Sequence, residues 1–353
     1  MAESGIVDWR FAVQTAARLV RPGPQIPRDE VDDVVDELRR GAALSENHVR
    51  DFTELHARSA TAPVLVVDRR GWVQANADGF ATLMDPLVDK IRRRHHLPDG
   101  VVKVVGSRVT GAEAGALLGF LSTKVLGQFD PFWTGGPEST GRMLLVAPNI
   151  VAAEQELDVD PHDFRLWVCL HEETHRVQFT AVPWMRDYLR GQVAEFVDAT
   201  DIDPERLATL LNDAIGHVAR IVRGDSDVSI AEILASPEQR QVIDRLTGVM
   251  SLLEGHADVV MDGVGPSVIP TVDQIRTRFN RRRGGGSPFD LLIRRLLGLD
   301  AKMRQYKDGA AFVRAVVDKV GTAGFNAVWS EPSALPSKAE IADPASWVAR
   351  LHG

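Results

Sequence analysis

The sequence predicts a mainly α-helical (α+β) protein with many helices and one small sheet. Apolar residues recur at helical spacing along most of the chain, whereas the Val-rich runs that favour strands are few and short. The chain has 353 residues, of which 44% are hydrophobic and 25% are charged, which is typical of a globular protein with a sizeable core. We expect a mostly helical region over 1–110 and a larger core over 111–353, packed as one two-lobed unit.

The N-terminal region is predicted to form a cap of helices around one strand. The predicted elements are, in order, helices over 7–20, 28–40 and 45–58, a Val-rich strand over 63–68, and helices over 76–84 and 86–94. Gly41 is read as the end signal of the second helix, because glycine is common just after the last helical residue.

Glycines recur every four residues in the next helical segment, over 111–127. They are Gly111, Gly115 and Gly119. This spacing places them on one helical face, where another backbone can approach closely. Glu113 and Lys124 interrupt the segment, which favours tight packing inside a soluble core over a membrane contact. A strand is predicted to follow over 142–149.

The segment 167–179 contains the most informative motif of the chain, His-Glu-x-x-His. His171 and His175 are four residues apart, so on a helix they lie one turn apart on the same face. That spacing lets two imidazoles bind one small cation, with Glu172 beside it and able to hold a water molecule. The neighbouring residues are largely apolar, so the helix is expected to be buried, where polar groups need a partner such as a metal.

A catalytic zinc site needs a third protein ligand, and the best candidates lie on a helix predicted over 237–262. Glu254 and Asp258 are four residues apart and share one helical face. Glu254 is a candidate ligand, and Asp258 is placed to accept a hydrogen bond from the far nitrogen of a ligand histidine. His256 points to another side of the helix, so either Glu254 or His256 is expected to bind the metal, but not both.

The motif H-E-x-x-H followed by E-x-x-A-D resembles the gluzincins, the thermolysin-like branch of the zincin metallopeptidases. The resemblance implies a zincin-like metalloprotease fold. It also implies that His171, His175 and Glu254 bind zinc and that Glu172 is the base. Asp258 would be the carboxylate that accepts a hydrogen bond from a ligand histidine. The gap between the second histidine and the glutamate is longer than in thermolysin, so the connecting region must differ.

More of the chain resembles an uncharacterised bacterial family of zincin-like proteins proposed to be hydrolases. Some members of that family are linked to deazaflavin coenzyme biosynthesis. The resembling segments are HEETHRVQF, LLEGHADVVMDGVG, RTRFNRRR and LLGLDAKMRQY, which span much of the C-terminal two-thirds. The resemblance implies that 111–353 form the metallohydrolase core.

The zincin resemblance also implies how a substrate is bound. In zincins, an edge strand preceding the motif helix binds an extended substrate by strand addition, and this role is assigned to 144–147. Zincins often use a Tyr, His or Arg to stabilise the oxyanion, and Tyr306 or Arg304 could serve here.

Together these features predict a zinc-dependent hydrolase, most simply a peptidase acting on a peptide or protein, with Zn²⁺ as cofactor and Glu172 as general base. Two alternatives stay open. One is a non-catalytic zincin-fold protein that acts as a binding or scaffold module. The other is a hydrolase of a non-peptide amide in cofactor metabolism.

The charge, cysteine content and hydropathy of the chain limit which partners and which cellular compartment are expected. The net charge of −8 argues against a nucleic-acid partner. The single cysteine, Cys169, permits no internal disulfide and suits a reducing cytosol. No run reaches the ~20 apolar residues of a membrane span, and the N-terminus does not resemble a signal peptide. We therefore expect a cytoplasmic protein.

Overall fold

Helices form most of the architecture, and the predicted mainly α fold with a small sheet is confirmed. The computed structural model describes residues 7–56, 62–94, 101–135, 141–199, 237–284 and 304–353. Its helices are α1 (Trp9–Leu19), α2 (Arg28–Thr53), α3 (Arg69–Arg94), α4 (Val101–Leu121), α5 (Ala147–Leu157), α6 (Pro161–Ala181), α7 (Pro183–Asp198), α8 (Pro237–Val268), α9 (Val272–Gly284), α10 (Arg304–Phe325), α11 (Lys338–Ala342) and α12 (Pro344–His352). Its strands are β1 (Val64–Val67), β2 (Gly127–Asp130) and β3 (Arg142–Val146).

The three strands form one sheet in the order β1-β3-β2. β1 pairs with β3 in parallel, and β2 pairs with β3 antiparallel, with Gly127 opposite Leu145. The assignment of 144–147 as an edge strand is therefore wrong. β3 is the central strand and all five of its residues are buried, while β2 is the edge strand that contacts α6.

The central strand divides two hydrophobic cores. Met143 and Leu145 face the larger core, which includes residues of α2, α6, α8 and α10. Leu144 and Val146 face a smaller core between α1, α3 and α4. Side chains alternate between the two faces of a strand, so burial on both faces explains why this strand is a continuous apolar run. The division into 1–110 and 111–353 stays a prediction.

The glycines of α4 allow α1 to approach at backbone distance. A Cβ atom at Gly115 would lie 3.0 Å from the carbonyl carbon of Ala12, and one at Gly111 would lie 2.6 Å from the carbonyl oxygen of Asp8. The predicted close packing of this glycine face is confirmed. No helix in the described part of the chain is long and apolar enough to cross a membrane.

Several predicted boundaries are wrong for identifiable reasons. α2 runs unbroken from Arg28 to Thr53, because Gly41 is the point of contact with α6 and not a helix end; a Cβ there would lie 3.2 Å from Sγ of Cys169. The helices predicted over 76–84 and 86–94 are likewise one helix, α3. β3 ends early because Pro148 lies in the first turn of α5, where a missing N–H is tolerated.

The helix that carries Glu254 is held to a C-terminal helix by a contact between main chains. A Cβ atom at Gly255 of α8 would lie 2.6 Å from the carbonyl oxygen of Gly309 of α10. A Cβ atom at Gly309 would in turn lie 2.9 Å from the carbonyl carbon of Ser251. Only glycine fits at either position, and the two helices cross at this point.

Candidate metal centre

Helix α6 carries both histidines of the motif, and its first residues fix its start. The side chain of Asp160 accepts a hydrogen bond from the backbone N–H of Asp163 (3.0 Å), and Pro161 is the first helical residue. The helix continues through the motif, so His171 and His175 lie one turn apart. Their ring centroids are 4.9 Å apart and their planes are perpendicular.

Glu254 reaches these histidines from α8. Its Oε2 lies 3.9 Å from Nε2 of His171, and its Oε1 lies 3.7 Å from Nε2 of His175. One ligand atom from each of the three side chains lies within 4.8 Å of the other two. The structure thus brings together the three residues that the sequence predicted as metal ligands.

The donor set and its spacing fit a zinc ion. Two imidazole nitrogens and one carboxylate oxygen are ligands that zinc takes in catalytic sites, where the fourth position is left for water. Ligand atoms at about 2.0–2.1 Å from a tetrahedral zinc ion are roughly 3.4 Å apart. The separations of 3.9 and 3.7 Å run to different oxygens of Glu254 and exceed this value by a few tenths of an ångström. With one ligand atom taken from each residue, all three atoms lie within 4.8 Å of one another.

Glu172 is buried between α6 and the edge strand. A Cβ atom at Gly127 of β2 would lie 2.6 Å from Cδ of Glu172, so the carboxyl group rests directly on the backbone of this strand. Burial raises the pKa of Glu172 to about 7; the charge of His175 opposes this shift and that of Glu254 adds to it. In the metal-free protein, this carboxyl group therefore titrates near neutral pH and can exchange a proton there.

Glu173, the next residue, belongs to a buried ion network on another face of α6. Its Oε1 accepts a hydrogen bond from Nε of Arg176 (2.8 Å). Arg176 also donates to Oε2 of Glu46 and to the carbonyl oxygen of Ala62, both at 2.6 Å. These contacts join α6 to α2 and to the residues before β1, so Glu173 helps to hold these elements together.

Gln178 is a polar residue of the site that the sequence analysis did not single out. It is fully buried one turn after His175, and its Oε1 lies 3.0 Å from Nδ1 of that histidine. Its Nε2 lies 3.0 Å from the carbonyl oxygen of Leu253 and 2.9 Å from Nδ1 of His256. Its helical spacing from the motif, on a buried face, is the signal that could have identified it.

His256 lies apart from the group of ligand atoms. It is buried against Phe325 and Trp329, with ring centroids at 5.5 and 5.3 Å, and its Nδ1 contacts Gln178. Burial, with a smaller effect of the charge of His175, lowers the pKa of His256 to about 3, so its ring is neutral. Of the two candidates for third ligand, the structure places Glu254 at the histidines.

The remaining predicted site residues are only partly described. Asp258 lies one turn after Glu254 on α8. Its charge acts on Arg276 of α9: burial lowers the pKa of Arg276, and the charge of Asp258 opposes that shift. Its predicted bond to a ligand histidine stays a prediction. Arg304 and Tyr306 lie in the first turn of α10, and their side chains are outside the described residues. Their predicted role at the oxyanion also stays a prediction.

Two histidines one helical turn apart, a carboxylate from a second helix and a buried glutamate beside them form the arrangement of a zincin-type metallohydrolase. The comparison with protein families agrees. The chain belongs to the family of zincin-like metallopeptidases, whose model matches residues 7–348.

Among solved structures, the chain is similar to a protein from Chloroflexus aurantiacus proposed to be a hydrolase with a novel fold. The two chains are 31% identical with a TM-score of 0.72, and the match covers 98% of this chain and 99% of the other. The comparison with curated proteins gives no match.

Proposed function

We propose that this protein is a zinc-dependent hydrolase that cleaves peptide or related amide bonds. His171, His175 and Glu254 would be the metal ligands, and Glu172 would be the general base. The observation that carries the proposal is the convergence of three ligand atoms from two helices within 4.8 Å. A buried carboxyl group next to them has the raised pKa that a proton-transferring group needs.

A bound zinc ion would supply a water of lowered pKa and would polarise the scissile carbonyl group. Glu172 would accept the proton of the attacking water and then deliver it to the leaving nitrogen. In the metal-free protein, burial raises the pKa of this carboxyl group above its ordinary value, and a carboxylate of raised basicity is a better proton acceptor. The backbone of β2 at Gly127 would keep the carboxyl group in one position during this exchange.

Two further residues would support the reaction. Asp258 would accept a hydrogen bond from Nδ1 of His171, because Nδ1 of His175 already contacts Gln178. Tyr306, or Arg304 in its place, would donate a hydrogen bond to the oxyanion that develops on the substrate.

The edge strand β2 would bind an extended substrate by strand addition. Within the described residues, β2 pairs with β3 on one side only, and its first residue, Gly127, touches Glu172. A peptide added along the outer edge of β2 would therefore run past the base. A peptide or protein is the substrate class that this arrangement favours.

The exposure of the ligands favours a catalytic site over a structural one. The side chains of His171, His175 and Glu254 are 25%, 14% and 29% exposed, so the group is reachable from solvent. A structural zinc ion usually has four protein ligands, whereas the group formed by the described residues has three.

Replacement of the base tests the proposal directly. We expect Glu172→Gln to retain bound zinc by elemental analysis and to lower cleavage of a peptide library by at least about 100-fold. Asp36→Asn, at an exposed carboxylate of α2, is the matched control and should cleave as the wild type does. Full turnover by Glu172→Gln would refute the mechanism. Cleavage of small amides but not of peptides would keep the mechanism and change the substrate class.

A further inference from the structure

We infer that Gln178 is a positioning residue that fixes which nitrogen of His175 carries the proton and so aims the other nitrogen at the metal. The inference rests on the proposed function, because it takes His175 to be a ligand. It assigns a task to a buried side chain that the proposed mechanism does not use.

The direction of each hydrogen bond follows from one main-chain group. The carbonyl oxygen of Leu253 can only accept, so the atom of Gln178 that lies 3.0 Å from it must be the donating amide nitrogen. The amide oxygen of Gln178 must then be the atom that lies 3.0 Å from Nδ1 of His175. An oxygen of this kind only accepts, so Nδ1 of His175 carries the hydrogen.

This assignment decides how His175 meets the metal site. A neutral imidazole has one N–H and one lone pair, so a hydrogen on Nδ1 leaves the lone pair on Nε2. Nε2 is the atom that faces Oε1 of Glu254 at 3.7 Å. Without the glutamine, the ring would be free to place its hydrogen on Nε2, which would block metal binding until the hydrogen moved.

His256 completes the orientation of the glutamine. The second hydrogen of the Gln178 amide points to Nδ1 of His256 at 2.9 Å, so that atom accepts and the hydrogen of the His256 ring is on Nε2. The ring of His256 is itself held between Phe325 and Trp329. Gln178 is fully buried, so water does not compete for these contacts and a flipped amide would oppose two acceptors.

The same contacts tie the two ligand-bearing helices together. Leu253 precedes Glu254 in the chain, so Gln178 links the main chain beside one ligand to the ring of another. A displacement of α8 relative to α6 would break this link and change both the position of the carboxylate and the orientation of the imidazole. The glutamine therefore couples the geometry of the third ligand to that of the second.

Nitrogen NMR of the metal-free protein tests the inference apart from any activity. With ¹⁵N-labelled histidine at about pH 8, the wild type should show the hydrogen of His175 on Nδ1, with the signal assigned by loss in His175→Ala. In Gln178→Leu, a similar volume without hydrogen bonds, the signal should move toward the Nε2–H form. A wild-type ring with its hydrogen on Nε2 would overturn the inference, whether or not the variant folds.

Zinc affinity gives the second measurement. We expect Gln178→Leu to bind zinc about 10- to 100-fold more weakly in a chelator competition, and to alter the visible spectrum of a cobalt-substituted site. Thr180→Val, which removes a buried hydrogen bond to Arg176 on the same helix, should change neither. An affinity for Gln178→Leu equal to that of the control would refute the inference. A wild type that binds no zinc yet has His175 protonated at Nδ1 would instead refute the proposed function.

Discussion

Gly127 and Glu172 are in direct contact: a Cβ atom on the glycine would lie 2.6 Å from Cδ of the glutamate and 2.8 Å from its Oε1. The first residue of the edge strand thus sets the position of the proposed base. Any side chain at this point would push the carboxyl group toward or away from the histidines.

We therefore expect Gly127→Ala to lower kcat by at least about 10-fold, since small displacements of a catalytic group are costly. Bound zinc should be unchanged, because the atoms nearest to the added Cβ all belong to Glu172, which is not one of the proposed ligands. Steady-state kinetics with elemental analysis provides the measurement. Gly191→Ala is the control, as a Cβ there meets nothing within 4 Å. Wild-type kcat in Gly127→Ala would show that the strand does not position the base.

The third ligand can be decided by comparing two replacements on α8. Loss of a residue that only supports a ligand typically weakens metal binding by about 10- to 100-fold. Glu254→Ala should weaken zinc binding by more than this, because it removes a ligand itself. His256→Ala should cause a smaller loss, because His256 acts only through Gln178. Competition titration with a chelator measures both. A larger loss in His256→Ala than in Glu254→Ala would reverse the assignment.

The burial of Glu172 should also appear in the pH dependence of stability. Its pKa in the folded, metal-free protein is raised from 4.5 to about 7, chiefly by burial. Between these values the folded state keeps a proton that the unfolded state has released, so this residue makes the free energy of unfolding fall as the pH rises. The full penalty, up to roughly 3 kcal/mol, is present above about pH 7.

Glu172→Gln removes this penalty, so the metal-free variant should melt at a higher temperature than the wild type at about pH 8, with a smaller difference at about pH 5. Thermal melts after chelation measure the difference. Burial also raises the pKa of Glu173 to about 7. Glu173 is present in both proteins, so its contribution to the pH dependence cancels in the difference. A difference in melting temperature that does not vary with pH would contradict this account.

Local patterns were sufficient to predict part of the fold and most of the candidate metal centre. The spacing of His171 and His175 is a property of one helix. Glu254 was a candidate because it shares one helical face with Asp258, and the resemblance to the gluzincins implied it as the third ligand, whereas the residues alone left His256 as an alternative. Neither step needed knowledge of how the two helices pack.

The parts that were missed depend on contacts between distant segments. β2 has only four residues and starts with glycine, so it is a strand by virtue of pairing with β3 and has no strong pattern of its own. Gln178 meets partners 75 and 78 residues further along the chain. Gly41 was read as a helix end because a glycine needed for close packing looks the same in sequence as one that ends a helix.

The crossing of α8 and α10 at Gly255 and Gly309 bears on any attempt to redesign this protein. Where two main chains touch, no rotamer change can absorb an added methyl group, so an engineer who randomises this pair would recover mostly inactive variants. Libraries aimed at a new substrate are better directed at the surface beside β2. That surface is where the substrate is proposed to lie, and its residues can be varied while Gly255 and Gly309 are left unchanged.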